Sequence, residues 1–222
     1  MRTAAIIVSA GFGKRFGAAK HEALLAGLSI LERSLEAFQS TPEVGGIVLV
    51  LRDPSAGESF RQRFSKILSI VPGGAERQDS VRLGFQELDP EAWDLVLVHD
   101  GVRPLAGPEL IRRVIAAAAL SGAAIPVIPV EDTLKEVAQD VVRATLDRAG
   151  IFRSQTPQGF RYGMLERALG EAEKAGFSGT DEAALVERLG LEVSAVPGEH
   201  SNIKITTPED IRIAEAYLDE NR

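Results

Sequence analysis

Six residues in one short stretch have the types and spacing to hold an anion: Gly11, Gly13, Lys14, Arg15, Gly17 and Lys20. Glycine lets backbone N–H groups approach a ligand closely, because no Cβ stands in the way. Lys14, Arg15 and Lys20 surround those amides with fixed positive charge, and Ala10 leads into the same turn. Bare amides and three cations suit a polyanion, most simply the triphosphate of a nucleotide. Two familiar glycine loops do not fit. A P-loop reads G-x-x-x-x-G-K-[ST], but Gly11 and Gly17 stand one residue too far apart and Ala18 follows. The dinucleotide fingerprint G-x-G-x-x-G begins with Gly11-Phe12-Gly13, but its third glycine comes one residue late. The competing interpretation is a tight strand-to-helix turn with solvated charges.

Further along, three more stretches carry chemistry. Gly73-Gly74-Ala75-Glu76-Arg77-Gln78-Asp79-Ser80 is a second glycine turn. There Asp79 or Ser80 has two open roles, capping the next helix or meeting a base or ribose. His99-Asp100-Gly101-Val102-Arg103 puts an acid and an arginine three residues apart. An acid at the end of a parallel strand can hold Mg²⁺ or a sugar hydroxyl, and Arg103 can take a phosphate as a planar fork. Alternatively the two residues merely pin their loop. Lys204 faces away from Ile203 and Ile205, and its open roles are a solvated charge or a group pointing into a site. The three histidines, His21, His99 and His200, have no H-E-x-x-H spacing, so a zinc site is not expected. His99 reads as a hydrogen-bonding residue at a strand end.

The elements that must position these groups follow from pattern. Thr3–Val8 is a short apolar run ahead of the first turn and is expected as a buried strand. Ser29–Phe38 has helical spacing, with Pro42 and Gly45-Gly46 expected to end it. Strands are expected at 47–51, 67–71, 95–98 and 124–130, with helices between them. Pro126 and Pro129 place the 124–130 strand near an edge or a bend. Residues 133–137 and 141–146 alternate polar and apolar about a turn at 138–140, which predicts a hairpin. A lone hairpin is marginal in water, so a second subunit is expected against it. In the tail, helices are expected at 162–175, after Thr180 as N-cap, and after Thr207-Pro208-Glu209-Asp210, with a strand at 191–196.

The 222 residues suffice for a full core, and one domain spanning 1–222 is expected. The chain is 45% hydrophobic and 26% charged, as globular proteins are. A formal charge of −7 disfavours a general nucleic-acid or membrane surface. Without cysteine there are no disulfides or thiolate metal sites. With no signal-peptide pattern and no long apolar run, a soluble cytoplasmic protein is expected.

Taken in order, AGFGKRFG…K (10–20), GGAERQDSV (73–81), VHDGVRP (98–104), TLDR (145–148), QTPQ (155–158), GTDEA (179–183) and NIKITTPED (202–210) resemble the 2-C-methyl-D-erythritol 4-phosphate cytidylyltransferase family. The resemblance spans nearly the whole chain. It implies an α/β fold with a Rossmann-like, mostly parallel twisted sheet flanked by helices, and a homodimer. It also implies transfer of CMP from CTP to methylerythritol phosphate, with Mg²⁺, releasing pyrophosphate. Matched by motif, Arg15 and Lys20 are the catalytic cations. Ala10, Gly11, Gly13 and Lys14 belong to the triphosphate loop, and Gly74 and Ser80 to the cytosine pocket. Asp100 lies beside ribose and substrate and nearest the metal, possibly through water. Arg103, Thr133, Arg148, Thr156, Thr180 and Lys204 contact the methylerythritol phosphate, Arg148 from the other subunit. The hairpin, with its flanks about 132–157, matches a dimerisation arm. Ala19 stands where the family usually has Pro, and VHDGVRP replaces the commoner VHDAARP.

The implied nucleophile is a phosphate oxygen, largely ionised at neutral pH with a second pKa near ~6, so no general base is required. This agrees with the lack of a Ser–His or Cys–His constellation. Competing interpretations are a ribitol 5-phosphate cytidylyltransferase, differing only in its polyol pocket, and an inactive nucleotide-binding regulator.

Overall fold

The computed structural model describes residues 1–11 and 23–220. The strand β1 (Thr3–Ser9) is buried along almost its whole length, as an apolar run covered on both faces must be. A small β2 (Leu24–Leu25) and β3 (Leu28–Ser29) pair lead into α1 (Ile30–Ser40). Ser29 and Glu32 close a reciprocal capping box at the start of α1. Then come β4 (Val44–Leu51), a 3₁₀ turn at Pro54–Gly57, α2 (Glu58–Arg63), β5 (Ile67–Pro72), α3 (Arg77–Phe85) and β6 (Leu95–Asp100). The second half holds α4 (Pro108–Ser121), β7 (Ala123–Pro129), the hairpin strands β8 (Lys135–Ala138) and β9 (Val141–Thr145), and β10 (Phe152–Ser154). It ends with β11 (Gln158–Arg161), α5 (Tyr162–Lys174), α6 (Glu182–Arg188), β12 (Ser194–Pro197) and α7 (Pro208–Glu220).

The main sheet runs β10-β7-β11-β6-β1-β4-β5, with β12 also on β7. The β6-β1-β4-β5 block is parallel, and β11 enters antiparallel between β6 and β7. Successive side chains leave a strand on opposite faces. Ile6 accordingly joins Val48, Val81, Phe85 and Phe160 on the α3–α5 side, while Ile7 joins Leu35, Phe38, Leu49 and Ile111 on the α1–α4 side. The chain is thus a helix-flanked, mostly parallel sheet, as the strand–helix rhythm predicts.

Several boundaries differ from expectation for physical reasons. Gly45 and Gly46 do not end a helix but lie inside β4. A Cβ on Gly46 would stand 2.5 Å from Leu68 Cδ1 and 2.9 Å from Trp93 Cη2, so the missing side chain lets two large ones cover the strand. β7 lies one strand in from the end of the sheet, near the edge as its prolines suggest, taking β10 and β11 antiparallel and β12 parallel. The stretch around Lys204 is not a strand; the backbone bond from Ile205 N to Val102 O, 2.9 Å long, ties it to the loop after β6. Asp181, not Thr180, caps α6, its Oδ1 accepting from Ala184 N at 3.0 Å. In the hairpin both strands are exposed throughout, so neither face packs within one chain. Gln139 and Asp140 take φ of 52° and 60° at its turn, as a two-residue hairpin loop demands. Phe152–Ser154, expected within the arm, returns to pair with β7.

α3 lies close on the sheet because Gly84 has no side chain: a Cβ there would sit 2.7 Å from Ile6 Cγ2 and 2.9 Å from Val50 Cγ2. Gly84→Val should destabilise the fold by about 1–3 kcal/mol through overpacking, seen as a lower urea midpoint with an unchanged slope.

Candidate active site

β1 lies between β4 on one side and β6 on the other, and the chain reverses its direction of travel across the sheet there. In open α/β sheets ligands bind outside the carboxyl ends of the strands at such a switch point. Registers bring the strand ends level: Val8 faces Asp100, Ser9 faces Leu51, and Leu51 faces Pro72. The first turn (Ala10, Gly11), the second (Gly73, Gly74) and Asp100 therefore share one rim. The two turns touch, since a Cβ on Gly73 would fall 2.2 Å from the Ala10 Cβ. Gly13, Lys14, Arg15 and Lys20 lie outside the described residues.

Asp100 is the last residue of β6, one position earlier in the rim than a loop residue would be, and is only 6% exposed. Its Oδ1 accepts from Arg77 Nε at 2.9 Å and its Oδ2 stands 2.8 Å from Lys204 Nζ. Arg103 Nε is 3.8 Å from the same Oδ2. Burial alone would raise this carboxyl, but Arg77, Lys204 and Arg103 outweigh it and hold the group well below the usual carboxylate range. Arg77 also gives Nη1 to both oxygens of Glu182, at 2.7 and 2.9 Å. Three cations against two carboxylates leave the cluster net positive, which suits phosphate.

Behind Asp100 runs a buried hydrogen-bond chain. His99 Nε2 lies 3.2 Å from the Arg103 carbonyl, which can only accept, so that nitrogen carries the proton. Its bare Nδ1 accepts from the Thr156 hydroxyl at 3.0 Å, and Thr156 Oγ1 accepts from Asp100 N–H at 3.1 Å. Thr156, expected to reach a reactant, is buried and its hydroxyl is engaged in holding Asp100. Complete burial drives His99 down to about 3, further than the Asp100 charge can raise it, with Arg103 also lowering it. His99 is a strand-end hydrogen-bonding residue, as its position predicts.

Other expected residues separate into two groups. Arg103 is held by its Nη1 on the Asn202 carbonyl at 2.8 Å. Asn202 donates Nδ2 to Thr156 O at 2.9 Å, and Gln155 Nε2 to Glu199 O at 2.7 Å, which fastens the tail loop that delivers Lys204. Ser80 is buried; its Oγ accepts from Gly74 N and donates to Glu76 O, both at 3.1 Å, so it sets the second turn. Asp79 Oδ2 accepts from Glu76 N–H at 3.1 Å, a capping role. Thr133, Arg148 and Thr180 are exposed, and no hydrogen bond or ion pair among the described residues joins them to Asp100. Sequence reasoning passed over Arg77, Glu182, Gln155 and Asn202. The only signal for them was their place inside the quoted motifs.

Both Asp100 oxygens already face cations, and no group of three or more metal-binding side chains occurs among the described residues. That donor set does not fit a divalent ion held by the protein alone. No helix among the described residues is long and apolar enough to cross a membrane.

A doubly wound sheet whose switch point carries two glycine turns and surplus positive charge defines a class, the α/β nucleotidyltransferases. Residues 3–220 match the family model described as 2-C-methyl-D-erythritol 4-phosphate cytidylyltransferase, and the chain belongs to that family. A protein of that name from Geobacter metallireducens is 44% identical over 229 residues, with 99% of each chain covered. Among solved structures, 4-diphosphocytidyl-2C-methyl-D-erythritol synthase from Anaerococcus prevotii superposes with a TM-score of 0.84 at 34% identity, covering 98% of this chain and 96% of the other. The Francisella tularensis cytidylyltransferase gives 0.85 at 30% identity, covering 97% and 99%.

The depressed imidazole has a pH consequence. An unfolded chain protonates His99 near pH ~6.5, whereas the folded one waits until about 3. Between those values the unfolded state holds the extra proton, so stability is full above the window and falls as pH drops through it. The slope is about 1.4 kcal/mol per pH unit. From pH 7 to 5 this contribution should remove about 2 kcal/mol of stability in urea melts, steepening toward that slope below pH ~6, and His99→Gln should flatten it.

Proposed function

We propose that the chain transfers the cytidylyl group of CTP to 2-C-methyl-D-erythritol 4-phosphate, releasing pyrophosphate. The observation that carries the proposal is Asp100 ringed by Arg77, Arg103 and Lys204 at the switch point, in a member of the family so named. In this mechanism a substrate phosphate oxygen attacks the α-phosphorus of CTP. The bond from that phosphorus to the bridging oxygen breaks, and pyrophosphate leaves with the electron pair. The nucleophile is already an anion, so the barrier is repulsion between two phosphorylated reactants, and the chain's task is to neutralise and align.

Arg15 and Lys20, with Lys14, Gly11 and Gly13, would take the triphosphate. Arg103 and Lys204 would draw in the second phosphorylated substrate, and Asp100 would accept from a hydroxyl of ribose or polyol. Gly74 and Ser80 would shape the base pocket beside Ala10. Mg²⁺ enters as part of the substrate, bound to CTP phosphates, because Asp100 is committed to its cations. The cysteine-free sequence suits a reducing cytoplasm.

The functional unit in this proposal is a homodimer. Val137, Val141, Val142, Leu146 and Phe152 are large apolar side chains about half exposed on the hairpin and its return. An apolar group of this kind on a protruding element calls for a partner, and a second copy would also bring Arg148 to the rim from outside.

Pyrophosphate release should occur with CTP and methylerythritol phosphate, and not with ribitol 5-phosphate; the reverse preference would overturn the substrate assignment. Lys20→Ala should lower kcat by about 10²–10³-fold with a modest change in CTP binding. Deleting residues 135–145 should give a monomer of poor activity by light scattering and assay, whereas a dimeric, active deletion would remove the hairpin from the subunit contact.

A further inference from the structure

Arg77 pairs with two acids, whereas among the described residues Lys204 and Arg103 each pair with Asp100 alone. The Arg77 guanidinium bridges two acids from distant parts of the chain. Nε holds Asp100 at the end of β6, while Nη1 is gripped by both oxygens of Glu182 in the first turn of α6. Glu182 is 1% exposed, and its surroundings are specific. Asp181 caps the same helix, and Gln158 ties that cap to β11 through Nε2–Asp181 Oδ2 at 2.8 Å. Gln158 Oε1 also accepts from Ala183 N at 3.1 Å. Glu182 therefore sits on a fixed platform. A buried carboxylate of this kind is costly unless paired, and its pairing spans the rim.

We infer that Glu182 and Arg77 are positioning residues for the transfer: Glu182 locks the guanidinium, and the guanidinium fixes Asp100 in one rotamer with Oδ2 toward Lys204 and the second substrate. This rests on the function proposed above and deepens it. Chemistry supports the division of labour. A planar fork can serve two acids at once, whereas a lysine ammonium offers a point charge without that geometry. Pairing with Glu182 offsets part of the Arg77 charge from behind, while Arg103 and Lys204 supply the positive surplus of the cluster. The sequence separation is large, so the clamp joins the β5–α3 turn, β6 and the start of α6 into one rigid frame.

The test is steady-state kinetics on the full chain with both substrates varied, using Glu182→Gln, Arg77→Lys and Asp100→Asn, each checked for native circular dichroism. Glu182→Gln keeps the shape but turns an amide donor toward a guanidinium that can only donate. Arg77→Lys keeps the charge at a partly exposed position but removes the planar fork that serves both acids. The expected result for both is a loss of about 10- to 100-fold in kcat/KM for methylerythritol phosphate, with the CTP KM within about twofold. Adding Glu182→Gln to Asp100→Asn should cost no more than about twofold further, because the two act through one group. Wild-type kinetics in Glu182→Gln or Arg77→Lys, beside an impaired Asp100→Asn, would overturn the clamp alone. A full multiplicative loss in the double variant would do the same. Wild-type kinetics in Asp100→Asn would overturn both the clamp and the role of Asp100 in the proposed function.

Discussion

The rim of this protein depends on a single buried carboxylate being kept ionised. Asp100 lies at the end of a fully buried strand, where an isolated charge would be strongly disfavoured. It is tolerated because cations arrive from three directions: Arg77 from the second glycine turn, Arg103 from its own loop, and Lys204 from the tail. Arg77 is in turn held by the Glu182 carboxylate and Arg103 by the Asn202 carbonyl. The carboxylate therefore acts less as an independent reagent than as the point where separate segments are registered against one another.

That arrangement explains why the chemistry needs so little acid–base equipment. The reacting groups are anions before they meet, and the electrostatic problem is to bring them together in line. In the proposed mechanism the arginine and lysine side chains of the rim would do this without moving a proton. His99, at the end of β6, is committed to hydrogen bonds that fix Thr156 and the Arg103 carbonyl. Its neutrality keeps a further positive charge out of the core side of the cluster.

Much of this was legible in the sequence because it lies in local pattern. The buried strands announce themselves as apolar runs, and the two turns as glycines placed just after them. Asp100, Arg103 and Lys204 stood out as charges beside such runs. What was not legible depends on long-range pairing. Nothing near Arg77 says that it will meet Glu182, and nothing near Gln155 or Asn202 says that they fasten the tail loop. Thr180 has the better local look of an N-cap, yet Asp181 takes the position because Gln158 and Ser154 from another strand fix its second oxygen. Gly45 and Gly46 read as breakers, but they serve β4 because Leu68 and Trp93 need the space. The prolines of β7 mark it as lying near an edge or a bend, but only the return of β10, β11 and β12 shows which strands cover it.

That return of the chain to β7 has a bearing on how the protein is made. The strands carrying Ser9 and Asp100 belong to the first half of the polypeptide, yet Glu182 and Lys204 leave the ribosome far later. Until they arrive, Arg77 lacks its second acid and Asp100 lacks one of its cations. Distant pairings of this type are slow to close. The Asp100 cluster is therefore completed only once the tail has docked, and a nascent chain that stops short of Lys204 would carry β6 with its terminal carboxylate only partly compensated.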